Sequence, residues 1–304
     1  MYNLLSCLMS ILTVLAPIFG LIVLGWALKR LGFLRERLVG IINNYVYYIG
    51  VSAIVFQSLH DTSVSLLLDP RVYLLSLLPM FGIVAIAYIV GKLMKLGPGI
   101  FAVFVVCALY GNTIYIGLPL NTLVQGPDAA GMTAFIATIS TVVVFTLGVY
   151  ILQHNATEHV EAGKLHKLPV IWAALLGILL SWLAIPYIIR LPLGLIAEST
   201  SPLALLATGA MIETSGFTAD LKDIGVLSVL KLIVAPLLVV LTGLAVGFQG
   251  MAFKTSLLEA AVPVGVTNSV LAAQFKMDTK FASRAVVIST VLFAITLTII
   301  LFLI

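Results

Sequence analysis

Charge is what this sequence has least of. Asp, Glu, Lys and Arg together supply 9% of its 304 residues, and 62% are hydrophobic. Soluble domains average about 25% charged and 45–50% apolar. So few charges cannot cover a water-facing surface, and lipid is the solvent that tolerates this composition. The net charge of +4 is scattered. No Lys/Arg run would track a phosphate backbone, which excludes nucleic acid as the expected partner. Cysteine is scarce too: Cys7 and Cys107 lie far apart in apolar stretches, so neither a structural disulfide nor a thiolate metal site is expected. The four histidines, His60, His154, His159 and His166, read as loop residues without metal-ligand spacing. No Gly-rich phosphate loop, nucleophile elbow or paired carboxylate motif is present. The expectation is no enzyme, no metal and no cofactor beyond a possible coupling H+ or Na+. The N-terminus has no basic n-region and no small-residue cleavage site, and reads as a retained first helix.

What is there is apolar runs. A spanning helix needs roughly 20 mainly apolar residues, and that window places ten spans near 5–28, 38–58, 71–91, 98–124, 129–152, 168–188, 195–213, 224–248, 252–275 and 281–304. The longest polar stretch, 153–167, is a connecting loop between two five-span halves, 1–152 and 168–304. Thirteen of the 16 basic residues fall on one side of this topology: Lys29, Arg30, Arg35, Arg37, Lys92, Lys95, Lys164, Lys167, Lys222, Lys231, Lys276, Lys280 and Arg284. Only Arg71, Arg190 and Lys254 fall on the other. The positive-inside rule makes the basic side cytoplasmic, so both termini face the non-cytoplasmic side. Lys231 and Arg284 are expected to snorkel from cytoplasmic helix ends. An odd number of spans per half means that structural repeats must be inverted, a plan of secondary transporters whose sites lie at discontinuous helices near the midplane. The fold class is therefore all-α integral membrane.

The fourth span of each half carries a helix breaker and an Asn at mid-depth. The first reads VVCALYGNTIYIGLPLNTL, with Gly111, Asn112, Thr113, Gly117 and Pro119; the second reads LLEAAVPVGVTNSVLAAQF, with Pro263, Val264, Gly265, Thr267 and Asn268. Asn is a good N-cap and Pro is tolerated in a first turn, so each reads as two half-helices. A half-helix N-terminus offers free N–H groups and roughly half a positive charge. Two of them would hold a carboxylate without a buried Lys or Arg. The alternative is a pair of kinked packing helices. Glu259, one turn before Pro263, is either a proton or cation site coupled to substrate or an outer carboxylate, protonated or paired with Lys254. Glu213 reads as interfacial at the end of span 7, and Tyr45, Tyr47 and Tyr48 as packing or interface residues. Asn43, Asn44 and Gln57 read either as interhelical hydrogen-bond partners or as cavity residues.

The chain resembles the auxin efflux carrier family, specifically bacterial members known as malate or malonate permeases. The likeness runs nearly end to end. It is carried by LAPIFGLIVLGWALKRLGFL with Gly25, Arg30 and Gly32, by Asn112, Thr113, Gly117 and Pro119 of GNTIYIGLPL, by PVIWAALLGILLS, by SPLALLATGAMI with Pro202 and Gly209, by KLIVAPLL with Pro236, and by EAAVPVGVTNSVLAAQF with Pro263. The resemblance implies two inverted five-helix repeats whose spans 4 and 9 cross. It implies a scaffold of spans 1, 2, 6 and 7, a transport domain of spans 3–5 and 8–10, elevator-like movement and a homodimer joined through the scaffold. Ser52 and Gly111 stand where many relatives carry Pro, and span 3 lacks the Asp of plant carriers. The leading expectation is a secondary transporter of a small mono- or dicarboxylate in the cell (inner) membrane. The expected substrate-binding residues are Gly111, Asn112, Thr113, Pro119, Pro263, Val264, Thr267 and Asn268, and Glu259 is the ion-coupling candidate. The alternatives are a sodium- or proton-coupled cation antiporter, which would usually place Asp or Lys at the crossing, an auxin-like weak-acid efflux carrier, and a membrane enzyme or sensor.

Overall fold

The computed structural model describes residues 4–62, 68–126, 128–155, 169–211 and 220–303. Among them every regular element is helical, and the one β-type contact is an isolated antiparallel bridge between Gly111 and Val264. Helix α1 is Leu4–Arg30 and α2 is Glu36–Asp61, α2 containing a π-helical turn at Val46–Gly50. Helix α3 is Pro70–Leu93. Its start is set by Asp69, whose side chain accepts the Arg71 N–H at 3.0 Å, with Pro70 in the first turn where no N–H is needed. The Arg71 guanidinium also holds the Asp69 carboxyl below its usual range. Helix α4 is Pro98–Leu109 and α5 is Leu118–Gln125, preceded by a π turn at Thr113–Gly117. Helix α6 runs from Ala129–Val143 through a π turn at Val144–Gly148 into Val149–His154.

The second half has α7 at Pro169–Leu179, α8 at Tyr187–Met211, α9 at Leu221–Val246, α10 at Met251–Ala261, α11 at Thr267–Gln274 and α12 at Thr279–Leu303. Helix α9 has its own π turn at Leu230–Val234 and stops at Gly247, whose left-handed φ of 67° lets Phe248 N–H reach back to the Gly243 carbonyl at 2.8 Å. Six helices among the described residues (36–61, 70–93, 131–154, 187–211, 221–246 and 279–301) are long and apolar enough to cross a membrane. With the shorter helices they make an all-helical protein of the kind that sits in a bilayer.

One boundary differs from the sequence reading. The sixth and seventh spans were expected near 168–188 and 195–213, but α7 ends at Leu179 and α8 begins at Tyr187. Pro186 accounts for where α8 begins. The residue before a proline is pushed out of the helical region, and the Pro186 carbonyl instead accepts the first N–H groups of α8, from Ile189 and Arg190. Glu213, His159 and His166 lie outside the described residues. His60 and His154 are in the last turns of helices rather than in loops.

Burial runs opposite to that of a soluble protein. Leu24, Ile41, Phe81, Ile89, Leu241 and Ile295 are exposed, as a lipid-facing surface requires. Inside are many Ser and Thr residues, which satisfy their hydroxyls on the carbonyl one turn earlier: Ser76 on Val72, Thr133 on Ala129, Thr141 on Ala137 and Thr290 on Val286. Helices α1 and α8 approach closely because both contact points are glycine. Gly25 lies against the Leu206 carbonyl and Gly209 against the Ile22 carbonyl, and neither has room for a Cβ.

Candidate functional site

Two helices break at the centre of the molecule, and each break meets the needs of the other. Helix α4 ends at Leu109, and Tyr110–Asn112 is non-helical, Tyr110 extended, before the chain turns helical again at Thr113. Helix α10 ends at Ala261, and residues 262–266 precede α11. Backbone groups freed inside a membrane have no water to turn to. Here Asn112 N–H donates to the Pro263 carbonyl at 2.8 Å, and Gly265 N–H donates to the Tyr110 carbonyl at 3.0 Å. Asn268 Nδ2 adds a third link to the same Tyr110 carbonyl at 2.9 Å, and Ser289 Oγ on α12 accepts Val264 N–H at 3.1 Å. Gly265 is required at this approach, since a Cβ there would lie 2.7 Å from the Gly111 carbonyl oxygen.

The crossing has two faces, each with its own cavity. The smaller, of about 10 Å³, opens toward α2: Val51 and Ile54 cover Tyr110, Gly111, Asn112, Thr113, Ile114, Gly265, Val266 and Thr267. Asn112 Nδ2, Thr113 Oγ1 and Asn268 Oδ1 are buried around the crossing without hydrogen-bond partners. The first turns that follow the two breaks, beginning at Thr113 and Thr267, border this cavity, and first-turn N–H groups have no partner within their own helix. Five of the eight expected site residues stand on or beside this cavity, Gly111, Asn112, Thr113 and Thr267 lining it and Asn268 next to it, and Pro263 and Val264 belong to the cross-pairing itself. Pro119 lies in the first turn of α5, beyond the cavity lining. The capping reading needs correction. Asn112 occupies an N-cap position but its side chain makes no cap bond, and Asn268 is the second residue of α11 and reaches across to Tyr110.

The larger cavity, about 40 Å³, lies on the other face, between α3, α6, α9 and α10. Its charged lining is Lys231 and Glu259, 3% and 4% exposed. The expectation that Lys231 snorkels from a helix end is wrong. The residue sits in the π turn of α9, ten residues into a 26-residue helix, and its Nζ donates to the Ala260 carbonyl at 3.1 Å. A lysine in an otherwise apolar sequence resembles an interfacial residue, and only the bundle shows that its side chain turns inward. Arg284 does not snorkel either: it is buried and paired with Asp220. Glu259 is no outer-surface carboxylate. Asn121 Nδ2 donates to its Oε1 at 3.1 Å, while Oε2 is buried without a partner. Behind Asn121 a ladder continues outward, Gln125 Nε2 donating to Asn121 Oδ1 at 2.8 Å and to Thr255 Oγ1 at 3.0 Å.

Two glycines of the first break make room for these charges. A Cβ on Gly111 would lie 2.9 Å from Lys231 Nζ and 2.6 Å from Val262 Cγ2, and a Cβ on Gly117 would collide with the Glu259 carboxylate. Tyr47 packs on Phe145 and Phe275, as expected of a packing residue, while Tyr48 OH accepts a bond from Gln274 at 2.9 Å and Tyr45 pairs with Ser199 at 2.7 Å. Asn43 is buried with an unpartnered Oδ1.

The chain belongs to the membrane transport protein family of auxin efflux carriers, which matches residues 10–301. It is 25% identical to an uncharacterized transporter of Methanothermobacter thermautotrophicus over 91% of this chain and 93% of that protein. It is 25% identical to a protein of Rhizobium meliloti named as a candidate malonate transporter, over 95% and 94% of the two chains. It is 20% identical to auxin efflux carrier component 8 of Arabidopsis thaliana, over 84% and 86%. These relatives are transporters and not enzymes, and the chain is a membrane transporter.

Proposed function

We propose that the transporter is a secondary carrier of a small organic anion, a mono- or dicarboxylate, seated on the α2 face of the crossing. The observation that carries this reading is the pair of unpartnered donors, Asn112 Nδ2 and Thr113 Oγ1, buried beside two half-helix starts. Helix N-termini and side-chain donors hold a carboxylate without a countercharge in direct contact. The Rhizobium relative's name supports a dicarboxylate. On this reading ten spans form two inverted five-span repeats, α4/α5 and α10/α11 being the broken spans. The cytoplasmic side is the one bearing twelve basic residues once Lys231 is set apart, and both termini lie opposite. The transport domain (α3–α6 and α9–α12) slides against a scaffold of α1, α2, α7 and α8, and Glu259 couples that movement to an ion. Dimerisation through the scaffold belongs to the same reading, and cross-linking in the membrane tests it.

A cation antiporter was disfavoured because no Lys or Asp was expected at the crossing, and Lys231 removes that ground. The anion reading now rests on the donors of the α2 face. Purified protein in liposomes is expected to exchange radiolabelled malonate saturably without any imposed gradient. Asn112→Ala is expected to slow exchange about tenfold, the loss of one or two charge-assisted hydrogen bonds, and Asn268→Ala is expected to slow it by removing the link of its Nδ2 to the Tyr110 carbonyl that holds the crossing together. Unchanged rates in both variants would remove the crossing as the seat.

A further inference from the structure

The larger cavity contains a charge arrangement that the substrate face does not need. Lys231 and Glu259 are both buried and both face one space of about 40 Å³, room for two or three waters. The ammonium has three donors and gives one to the Ala260 carbonyl. Glu259 gives Oε1 to Asn121 and keeps Oε2 without a partner. The neighbouring Ser256 Oγ is buried and unpartnered as well. An unfilled space lined by this many orphaned polar atoms is expected to hold water, because each orphan otherwise costs its full desolvation. The arrangement is built rather than incidental, since Gly111 and Gly117 are the absences of side chain that admit the two charged groups.

We propose that Lys231 is the resident cation of this carrier and that Glu259, across a water-filled cavity, takes up and releases the proton that drives the anion. This deepens the proposed function and rests on the crossing being the substrate seat. The argument is one of charge balance. A domain that moves its buried groups across a low-dielectric layer does so cheaply only when they sum to near zero. Empty, the domain carries one ammonium and one carboxylate, which cancel. A monoanion on the opposite face of Gly111, malonate entering as hydrogen malonate, adds one negative charge, and one proton on Glu259 restores the balance: R–COO⁻ + H₃O⁺ gives R–COOH + H₂O within the cavity. Sodium does not fit this role. The Ala260 carbonyl that could ligate it is taken by Lys231, and a second cation beside a buried ammonium is repelled strongly at low dielectric. The charged and titratable groups that face Glu259 are Lys231 from α9 and the Tyr110 phenol, which is bonded to Thr141 at 2.9 Å; α3 and α6 present Ser76, Met80 and Ser140. The polar side chains beside Glu259 are Asn121, Gln125 and Thr255, which hold the carboxyl in place, and the proton reaches it through the water of the cavity.

The test has two parts. Infrared difference spectroscopy of the full-length protein in lipid follows the protonated carboxyl band between roughly pH 5 and 9. A band that titrates, vanishes in Glu259→Gln and is the same in sodium and potassium buffer is expected. In Lys231→Met the band is expected to persist across the range, because a carboxylate buried without its cation takes a proton. Absence of the band at every pH, or its removal by sodium, overturns the proposal whether or not malonate is a substrate. In liposomes clamped to zero voltage, one unit of inward pH gradient is expected to concentrate the hydrogen malonate monoanion about tenfold, and a sodium gradient is expected to do nothing. The ratio of pH-driven uptake to gradient-free exchange is expected to fall about tenfold in Glu259→Gln. Exchange with accumulation driven by sodium overturns the proton assignment while leaving the anion seat intact. Absence of exchange rejects malonate at that seat, and the infrared result still judges the cavity.

Discussion

The two faces of Gly111 share a backbone and differ in nearly everything else. Toward α2 the lining is uncharged: amides, a hydroxyl and first-turn N–H groups under Val51 and Ile54. Toward α3 and α9 it holds a buried lysine and a buried glutamate around a cavity four times as large. The difference teaches a separation of tasks. On the proposed reading, the groups that must release a ligand are dipoles, whose hold on an anion is moderate. Groups that stay with the protein are full charges, which inside a membrane must be balanced nearby. One residue thickness of extended chain divides the two.

The comparison breaks most completely at Gly111 itself. Gly111→Val pushes a side chain into Lys231 and Val262, disturbs both faces, and is expected to abolish exchange and to lower stability by about 1–3 kcal/mol through overpacking. A thermal melt and an exchange assay on one preparation measure both. Gly117→Ala intrudes on the charged face alone. It is expected to remove pH-driven accumulation while retaining part of the exchange; equal loss of both would merge the two faces. Asn112→Ala touches the other face alone. Its Nδ2 has no protein partner, so the roughly tenfold slower exchange should come with an unchanged melting midpoint. A large drop in that midpoint would make Asn112 structural. Gln125→Leu shortens the ladder leading to Asn121 and is expected to slow pH-driven uptake only about twofold to threefold, the scale of one exposed hydrogen bond, with exchange unaffected. Asp69→Asn, at the far end of α3, is expected to change neither assay. It removes the partner of Arg71 and lessens the extra stability at neutral pH, which in the parent falls away only as the pH drops through the lowered carboxyl range.

Both breaks were legible in the sequence because Gly111 and Pro263 are helix breakers within apolar runs too long to be anything but membrane helices. The two asparagines were legible as well, since polar side chains at mid-depth are rare unless used. The boundary between α7 and α8 was misjudged. The apolar run continues through 180–190, and hydropathy does not register that Pro186 sets where α8 begins. Lys231 was missed for a deeper reason. Hydropathy places a lysine near a helix end because its long stem can reach water from there. Whether it does depends on what the neighbouring helix offers, here the Ala260 carbonyl and the space above Gly111. Asn121 and Gln125, four residues apart on α5, were visible as polar residues, but their line to Glu259 is formed only by α10 packing alongside.

The sequence by itself determined the solvent, the helical class and the places where helices fail, because these follow from composition, run length and local stereochemistry. Only the tertiary structure decided that the two failures satisfy each other through Asn112, Pro263, Gly265 and Tyr110, and that a lysine and a glutamate 28 positions apart in sequence face one cavity. Hydrogen bonds between segments and the balance of buried charge depend on which helices become neighbours, and no local pattern along a chain encodes that.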